Sequence, residues 1–175
     1  MTIRNATIAD AEAIRTIYAP YVENTAITFE YDVPTLQEMR RRISEITLNY
    51  PWLVAEKDGR IVGYAYAHQL RERAAFQWSV ETSIYLAQEI RGEGIGSQLY
   101  KALEAALNEK GIHNLYACIA YVSPENEFLT TASVRFHERM GYSRAAHFHH
   151  CGYKFEQWFD ILWMERIIDN KTTIV

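Results

Sequence analysis

Arg91-Gly92-Glu93-Gly94-Ile95-Gly96-Ser97 stands between an alternating, strand-like run, Ser79 to Leu86, and an apolar-periodic helix from Ile95 to about Asn108. A strand, then glycines, then a helix start is a way to hold an anion. Glycines let the backbone approach closely and adopt positive φ, and the first helical turn leaves N–H groups unpaired and pointing outward. The natural ligand of such a cup is a phosphate or pyrophosphate. A P-loop would need Lys-Ser/Thr directly after its last glycine, for the terminal phosphates and a magnesium ion. Here Ser97 and Gln98 follow, and no lysine appears until Lys101. A dinucleotide fingerprint would need a third glycine where Leu99 or Ser97 stands, and a carboxylate in the next strand. That strand, Leu115 to Tyr121, carries none. What remains is Arg/Gln-x-x-Gly-x-Gly/Ala between strand and helix, matched by Arg91, Gly94 and Gly96.

Outward from this loop, the pattern of elements is regular. Ile3-Arg4 and their neighbours read as a short strand. Thr7 or Asp10 caps a helix with Ile14, Ile17, Tyr18 and Tyr21 on one face, and Pro20 is expected to disturb its end. Thr35-x-x-Glu38 is a capping box for a helix buried through Leu36, Met39, Ile43 and Ile46. Asp58-Gly59 joins Trp52–Glu56 to Ile61–His68 as a hairpin, and a strand follows from about Gln77 to Leu86. After the loop helix, ended by Gly111, come the strand Leu115–Tyr121, a helix Thr131–Met140 stopped by Gly141, and strands Tyr142–His149 and Phe159–Met164. The order β-α-α-β-β-β-α-β-α-β-β is an antiparallel meander, one βαβ crossover and a closing hairpin. It predicts an α/β fold with a mixed, mostly antiparallel sheet of about seven strands flanked by four helices, not a doubly wound one.

The chain has 175 residues, expected to form one domain with a tail from about 167. Hydrophobic residues make up 49% and charged ones 23%, ordinary globular values. The net charge of −4 argues against nucleic acid as a partner. The triplet Arg40-Arg41-Arg42 reads as a solvated helix face. No apolar run has membrane-spanning length and Met1-Thr2-Ile3-Arg4 has no signal core, so no membrane partner is expected. Two cysteines, Cys118 and Cys151, make no disulfide framework, which fits a reducing, cytoplasmic setting.

The loop motif and the order of elements together resemble the GNAT superfamily of N-acetyltransferases. Four segments narrow the likeness: Trp78–Leu86, Arg91–Leu99, Ser133–Tyr142, and Gly152-Tyr153-Lys154 with Trp158-Phe159-Asp160. They are similar to the phosphinothricin and methionine-sulfoximine N-acetyltransferases. The resemblance implies acetyl-CoA as co-substrate, no metal, a small amino-acid-like amine as acceptor, a detoxifying role and a homodimer. It implies a pyrophosphate held by Arg91, Gly92, Glu93, Gly94, Ile95, Gly96 and Ser97, and a pantetheine arm laid along Tyr85, Leu86 and Ala87 like an added strand. Thr130 and Ser133 would border that arm. Relatives often have asparagine where Thr130 stands, and the preceding loop, 122–129, is longer here, with Asn126 as a substitute.

A protonated amine, with a pKa of about 10, needs a base before it can attack a thioester. Glu81, a carboxylate in a largely apolar strand, is the candidate. Read alone, it is as well an ion-pair partner for a nearby arginine; the resemblance implies the base. His137 stands where many relatives have tyrosine and is the candidate acid for the leaving thiolate, though a lone helical histidine is commonly a packing residue. Arg73 would clamp an acceptor carboxylate, with Phe29 and Tyr31 lining the same pocket. His147, His149, His150 and Cys151 form one dense cluster rather than two spaced ligand pairs, and read as a polar sheet edge. Two rivals remain: the same transfer to a peptide N-terminus or a polyamine, and an acyl-CoA-binding module without turnover.

Overall fold

The computed structural model describes residues 1–90 and 92–168. Arg91 and residues 169–175 of the tail expected from about 167 lie outside the described residues, and Ile167 still belongs to the last strand. Among these residues the chain runs β1 (Thr2–Asn5), α1 (Ala11–Asn24), α2 (Leu36–Thr47), β2 (Trp52–Lys57), β3 (Arg60–Gln69), β4 (Ser79–Leu86), α3 (Ile95–Glu109), β5 (Asn114–Tyr121), α4 (Ala132–Arg139), β6 (Ser143–Lys154) and β7 (Gln157–Ile167). The seven strands form one sheet in the order β1-β2-β3-β4-β5-β7-β6. Every neighbouring pair is antiparallel except β4 and β5. The predicted mixed sheet with its single crossover is therefore the fold.

Both faces of the sheet are covered. Ile14, Ile17, Tyr18 and Val22 of α1 and Met39 and Ile43 of α2 pack on Trp52, Val54 and Tyr64. On the opposite face Leu99, Leu103 and Leu107 of α3 meet Leu53, Ala65, Val80, Leu115 and Met164. These residues follow the helical and strand periods that the sequence displays, so burial of one stripe per helix fixes the layers. Thr35 caps α2, its hydroxyl accepting from the Glu38 N–H at 3.1 Å. The Glu38 carboxylate completes no reciprocal box. It holds Arg41 and Arg42 instead, and Glu45 and Glu30 take the remaining arms of those two arginines. The arginine triplet is thus largely an ion-paired helix face.

Three boundaries differ from expectation. Pro20 sits inside α1, which continues to Asn24 because Val22 beyond it is buried on the sheet. Residues Ala74–Phe76 form a short 3-10 turn, so β4 begins at Ser79 rather than near Gln77. The closing strands are longer than predicted and join through Phe155 and Glu156, both at positive φ (50° and 58°). Such a turn ordinarily carries glycine or asparagine. Here Phe155 is held by stacking on Phe128 at 4.3 Å, a contact invisible in the local sequence.

Candidate active site

The sheet opens where its one parallel pair comes apart. β4 and β5 are in register only at Ser79↔Asn114, Val80↔Leu115 and Glu81↔Tyr116. Beyond that, β4 follows β3 as far as Leu86↔Gly63, while β5 follows β7 to Tyr121↔Asp160. The Thr82 hydroxyl donates to the Tyr116 carbonyl at 3.1 Å and closes the last rung. From Ser83 onward, the β4 edge that faces β5 has no strand partner among the described residues. The cleft between the parted strands is lined by Ser83, Tyr85, Cys118, Ala120, Ser133 and His137, among others. An extended chain with amide groups can dock on such an edge by main-chain hydrogen bonds.

β4 leads into the glycine loop. Gly92 and Gly94 adopt φ of 76° and 72°, which only glycine takes up readily, and a Cβ at Gly92 would meet nothing within 4 Å. Gly94 is the N-cap of α3, with no side-chain cap and no acidic residue in the first turn. The N–H groups of Ile95, Gly96 and Ser97 thus open an uncapped, electropositive helix end. Gly96 lies where a Cβ would meet the Phe136 ring at 3.3 Å, which brings α3 close to α4. Glu93 turns away and pairs with Lys57 at 2.5 Å. The Tyr85 main chain pairs with Tyr64 on β3, and its ring packs edge-on against Tyr18 and Tyr21 at 4.9 and 5.1 Å. The Leu86 carbonyl accepts from the Tyr21 hydroxyl at 2.7 Å, and the Ala87 N–H donates to the Val62 carbonyl. Of the three residues expected to offer main chain, Tyr85 lines the cleft, yet the register turns its own N–H and C=O to β3 and those of Leu86 to the open edge.

His137 is buried within the cleft wall. Its Nδ1 lies 2.8 Å from the Ser133 carbonyl, which can only accept, so Nδ1 carries the proton. Nε2 then accepts from the Tyr100 hydroxyl at 2.8 Å. Burial lowers the imidazole pKa to about 4, against a smaller opposing effect of the Ser133 bond. His137 is therefore neutral near pH 7 and its single N–H is committed to backbone. That state fits an orienting residue better than the proton donor expected from its position. Ser133 is half-buried one turn earlier. Thr130 is exposed, its hydroxyl accepting from Ala132 N–H at 3.4 Å. Asn126 is spent within its own loop, accepting from the Phe128 and Leu129 N–H groups at 3.0 Å and donating to Gln157.

Glu81 stands on β4 at the point where the strands part. Burial raises its pKa, and the nearby charges of His68 and Arg71 only partly oppose this. His68, its register partner on β3, brings Nε2 to 3.8 Å from a Glu81 carboxylate oxygen. A half-buried carboxylate with a raised pKa and a histidine neighbour can take up a proton and pass it on. The Cys118 thiol, also in the cleft, is pushed up to about 12 by burial and by Glu81, and so stays protonated. Arg73 is exposed at the start of the 3-10 turn; the arginine whose field reaches Glu81 is Arg71.

Phe29 and Tyr31 belong to the connection between α1 and α2, which is latched onto the end of β6. Lys154 is buried, and its ammonium donates to the carbonyls of Val22, Thr25 and Thr28 at 2.7, 2.9 and 2.9 Å. The Tyr31 hydroxyl donates to the Tyr153 carbonyl at 2.5 Å. Phe29 fills the space over Gly152, where a Cβ would stand 2.2 Å from its ring. Phe29 packs with Ala120 and Leu129, two residues of the cleft wall. His68, Arg71 and Lys154 were all missed in the sequence reading. The segment Gly152-Tyr153-Lys154 was singled out, yet a lysine bonding three carbonyls some 126 to 132 residues away leaves no local signature.

Known proteins share this architecture. The family model described as an acetyltransferase (GNAT) domain matches residues 3–163. A phosphinothricin N-acetyltransferase of Streptomyces viridochromogenes is 33% identical over 94% of this chain and 86% of its own. An L-methionine sulfoximine/L-methionine sulfone acetyltransferase of Salmonella typhimurium is 32% identical over 97% and 96%. The crystal structure of a GNAT superfamily phosphinothricin acetyltransferase from Sinorhizobium meliloti in complex with AcCoA superposes with a TM-score of 0.86, at 35% identity, over 95% of this chain and 87% of that one. A parted parallel strand pair, an uncapped helix behind a glycine turn and a half-buried carboxylate are thus set in a chain that belongs to the GNAT acetyltransferase family.

Proposed function

We propose that this chain is an acetyl-CoA-dependent N-acetyltransferase for the amine of a small amino-acid-like molecule of the phosphinothricin or methionine sulfoximine/sulfone type. The observation that carries the reading is the unpaired β4 edge, which runs directly into the uncapped start of α3. One feature suits an amide-bearing pantetheine arm, the other a pyrophosphate. The names of the relatives, whose full lengths this chain nearly spans, support the acceptor class.

In this mechanism the loop from Arg91 to Ser97 takes the pyrophosphate through backbone N–H groups, and the open-edge main chain of β4 on either side of Tyr85 aligns the pantetheine. Glu81, with His68 beside it, accepts the ammonium proton directly or through water, freeing the amine lone pair. The amine attacks the thioester carbonyl, and main-chain N–H groups of the open β4 edge hold the oxyanion. Collapse expels a thiolate whose pKa, judged by cysteine, is about 8.5, so it departs without an obligatory acid and then takes up the second proton that the attacking nitrogen sheds. His137 keeps Ser133 and Tyr100 in place at the cleft wall. Phe29 and Tyr31 close the acceptor side, and Arg73 or Arg71 supplies the cation for an acceptor carboxylate. Thr130 borders the arm at the start of α4. The whole chain acts as one domain, in the cytoplasm, as a homodimer, in detoxification. No helix among the described residues is long and apolar enough to cross a membrane.

The test is release of free thiol from acetyl-CoA with a panel of amines: phosphinothricin, methionine sulfoximine, methionine sulfone, ordinary amino acids, polyamines and short peptides. Turnover fastest with the first three is expected. Turnover confined to peptides or polyamines would move the acceptor class, and acetyl-CoA binding without thiol release from any amine would leave a binding module.

A further inference from the structure

The dense histidine cluster of β6 acquires a new member from the neighbouring strand. Between Phe148↔Ile161 and Gly152↔Phe159, β6 advances four residues while β7 advances two, so β6 bulges outward at residues 149–151. His150 takes a φ of 47° in this bulge. Asp160 lies on β7 opposite it. One carboxylate oxygen accepts from the His150 main-chain N–H at 2.8 Å, and the other faces His147 Nε2 at 2.7 Å. The His149 ring stacks on that of His147, with centroids 4.0 Å apart and planes 22° from parallel. Tyr121 holds His147 edge-on at 5.4 Å.

We propose that His147, His149 and Asp160 form a binding site for a divalent transition-metal ion of the zinc class. The three residues each bring one ligand atom to within 4.8 Å of the other two. Zinc bonds of about 2.0–2.1 Å to nitrogen and oxygen ask for ligand atoms somewhat over 3 Å apart, so the ion draws the ligand atoms together by side-chain rotations that open the His147–His149 stack. Two imidazole nitrogens and one carboxylate oxygen form a borderline donor set that suits Zn²⁺, Co²⁺ or Ni²⁺. Calcium and magnesium prefer more oxygen ligands. The His150 N–H fixes the carboxylate from behind, as partners outside the ligand set commonly do in metal sites. Water fills the remaining position. The ion replaces the His147–Asp160 hydrogen bond and clips the bulge to β7. The site is separate from the transfer chemistry, for which no metal is invoked, and none of its ligands lines the β4–β5 cleft. Its third ligand lies 13 residues beyond the first, which is why the histidines alone read as a polar edge.

The test is titration of the chelator-treated, dialysed full chain with zinc chloride by calorimetry, and with cobalt chloride by visible absorption. A single saturable ion per chain is expected, with the d–d bands of low-coordinate cobalt. His147→Ala, His149→Ala and Asp160→Asn should each weaken binding about tenfold or more. His150→Ala should bind as the wild type does, because it keeps the main-chain N–H; circular dichroism of each variant confirms folding. Absence of saturable binding, or binding that survives all three ligand substitutions, would overturn the site.

Discussion

The two halves of the proposed site are built from different materials. The half proposed for the cofactor is main chain: glycines at positive φ, an uncapped helix start and a strand edge with no strand partner among the described residues. The half proposed for the acceptor is side chain: Glu81 beside His68, and the aromatic pair Phe29 and Tyr31 held by β6. A main-chain site is insensitive to most substitutions and fails where a Cβ forbids the conformation. A side-chain site is chemically specific and fails one group at a time.

Substitutions should separate the halves. The largest effect is expected from Glu81→Gln, which should lower kcat/KM for the amine by about 10²- to 10³-fold. Because burial raises the Glu81 pKa, the acid limb of the wild-type pH–rate profile should lie above the ordinary carboxylate range and vanish in the variant. An unchanged profile would remove Glu81 from the chemistry. His137 lies within the cleft wall and should act through stability. Its folded pKa of about 4 is below the ordinary 6.5, so the unfolded chain binds the extra proton first as pH falls. Stability from this group is complete above about pH 6.5 and lost toward pH 4, by roughly 3 kcal/mol. Denaturant melts across that window should show a shallower slope for His137→Asn than for wild type.

Lys154→Met should cost about 2 kcal/mol by leaving three carbonyls without their charged donor, and should raise KM for the acceptor more than for acetyl-CoA. Gly94→Val tests the opposite half. A β-branched residue at a φ of 72° is strained, so KM for acetyl-CoA should rise about tenfold with little change in acceptor KM. The smallest shift, a few-fold rise in acceptor KM on the scale of altered pocket packing, is expected from Gly152→Ala, which pushes the Phe29 ring aside. Equal effects of the last two on both substrates would erase the distinction between the halves.

The same division explains what could be read in advance. Glycine spacing, helix stripes and the Asp58-Gly59 turn are local patterns, and they yielded the layers, the crossover and the glycine turn before α3. Glu81 stood out as a candidate because a lone carboxylate interrupts an apolar strand, and the resemblance alone favoured a base over an ion-pair partner. His68 was not, since its meaning comes only from register with Glu81 across the β3–β4 pair. Lys154 and the Phe155-Glu156 turn depend on contacts with the α1–α2 connection and with Phe128, far away in the chain. The protonation of His137 followed from burial, which its sequence neighbours do not reveal.

Three rungs join β4 to β5. Mechanically the sheet is therefore two plates riveted at one end, with β1 to β4 on one plate and β5 to β7 on the other. A molecule seated in the gap supplies the missing rungs, so its arrival stiffens the joint as well as loading the substrate. Hydrogen exchange at the β4 and β5 amides beyond Glu81 and Tyr116 should slow when acetyl-CoA is added, while the outer strands barely respond.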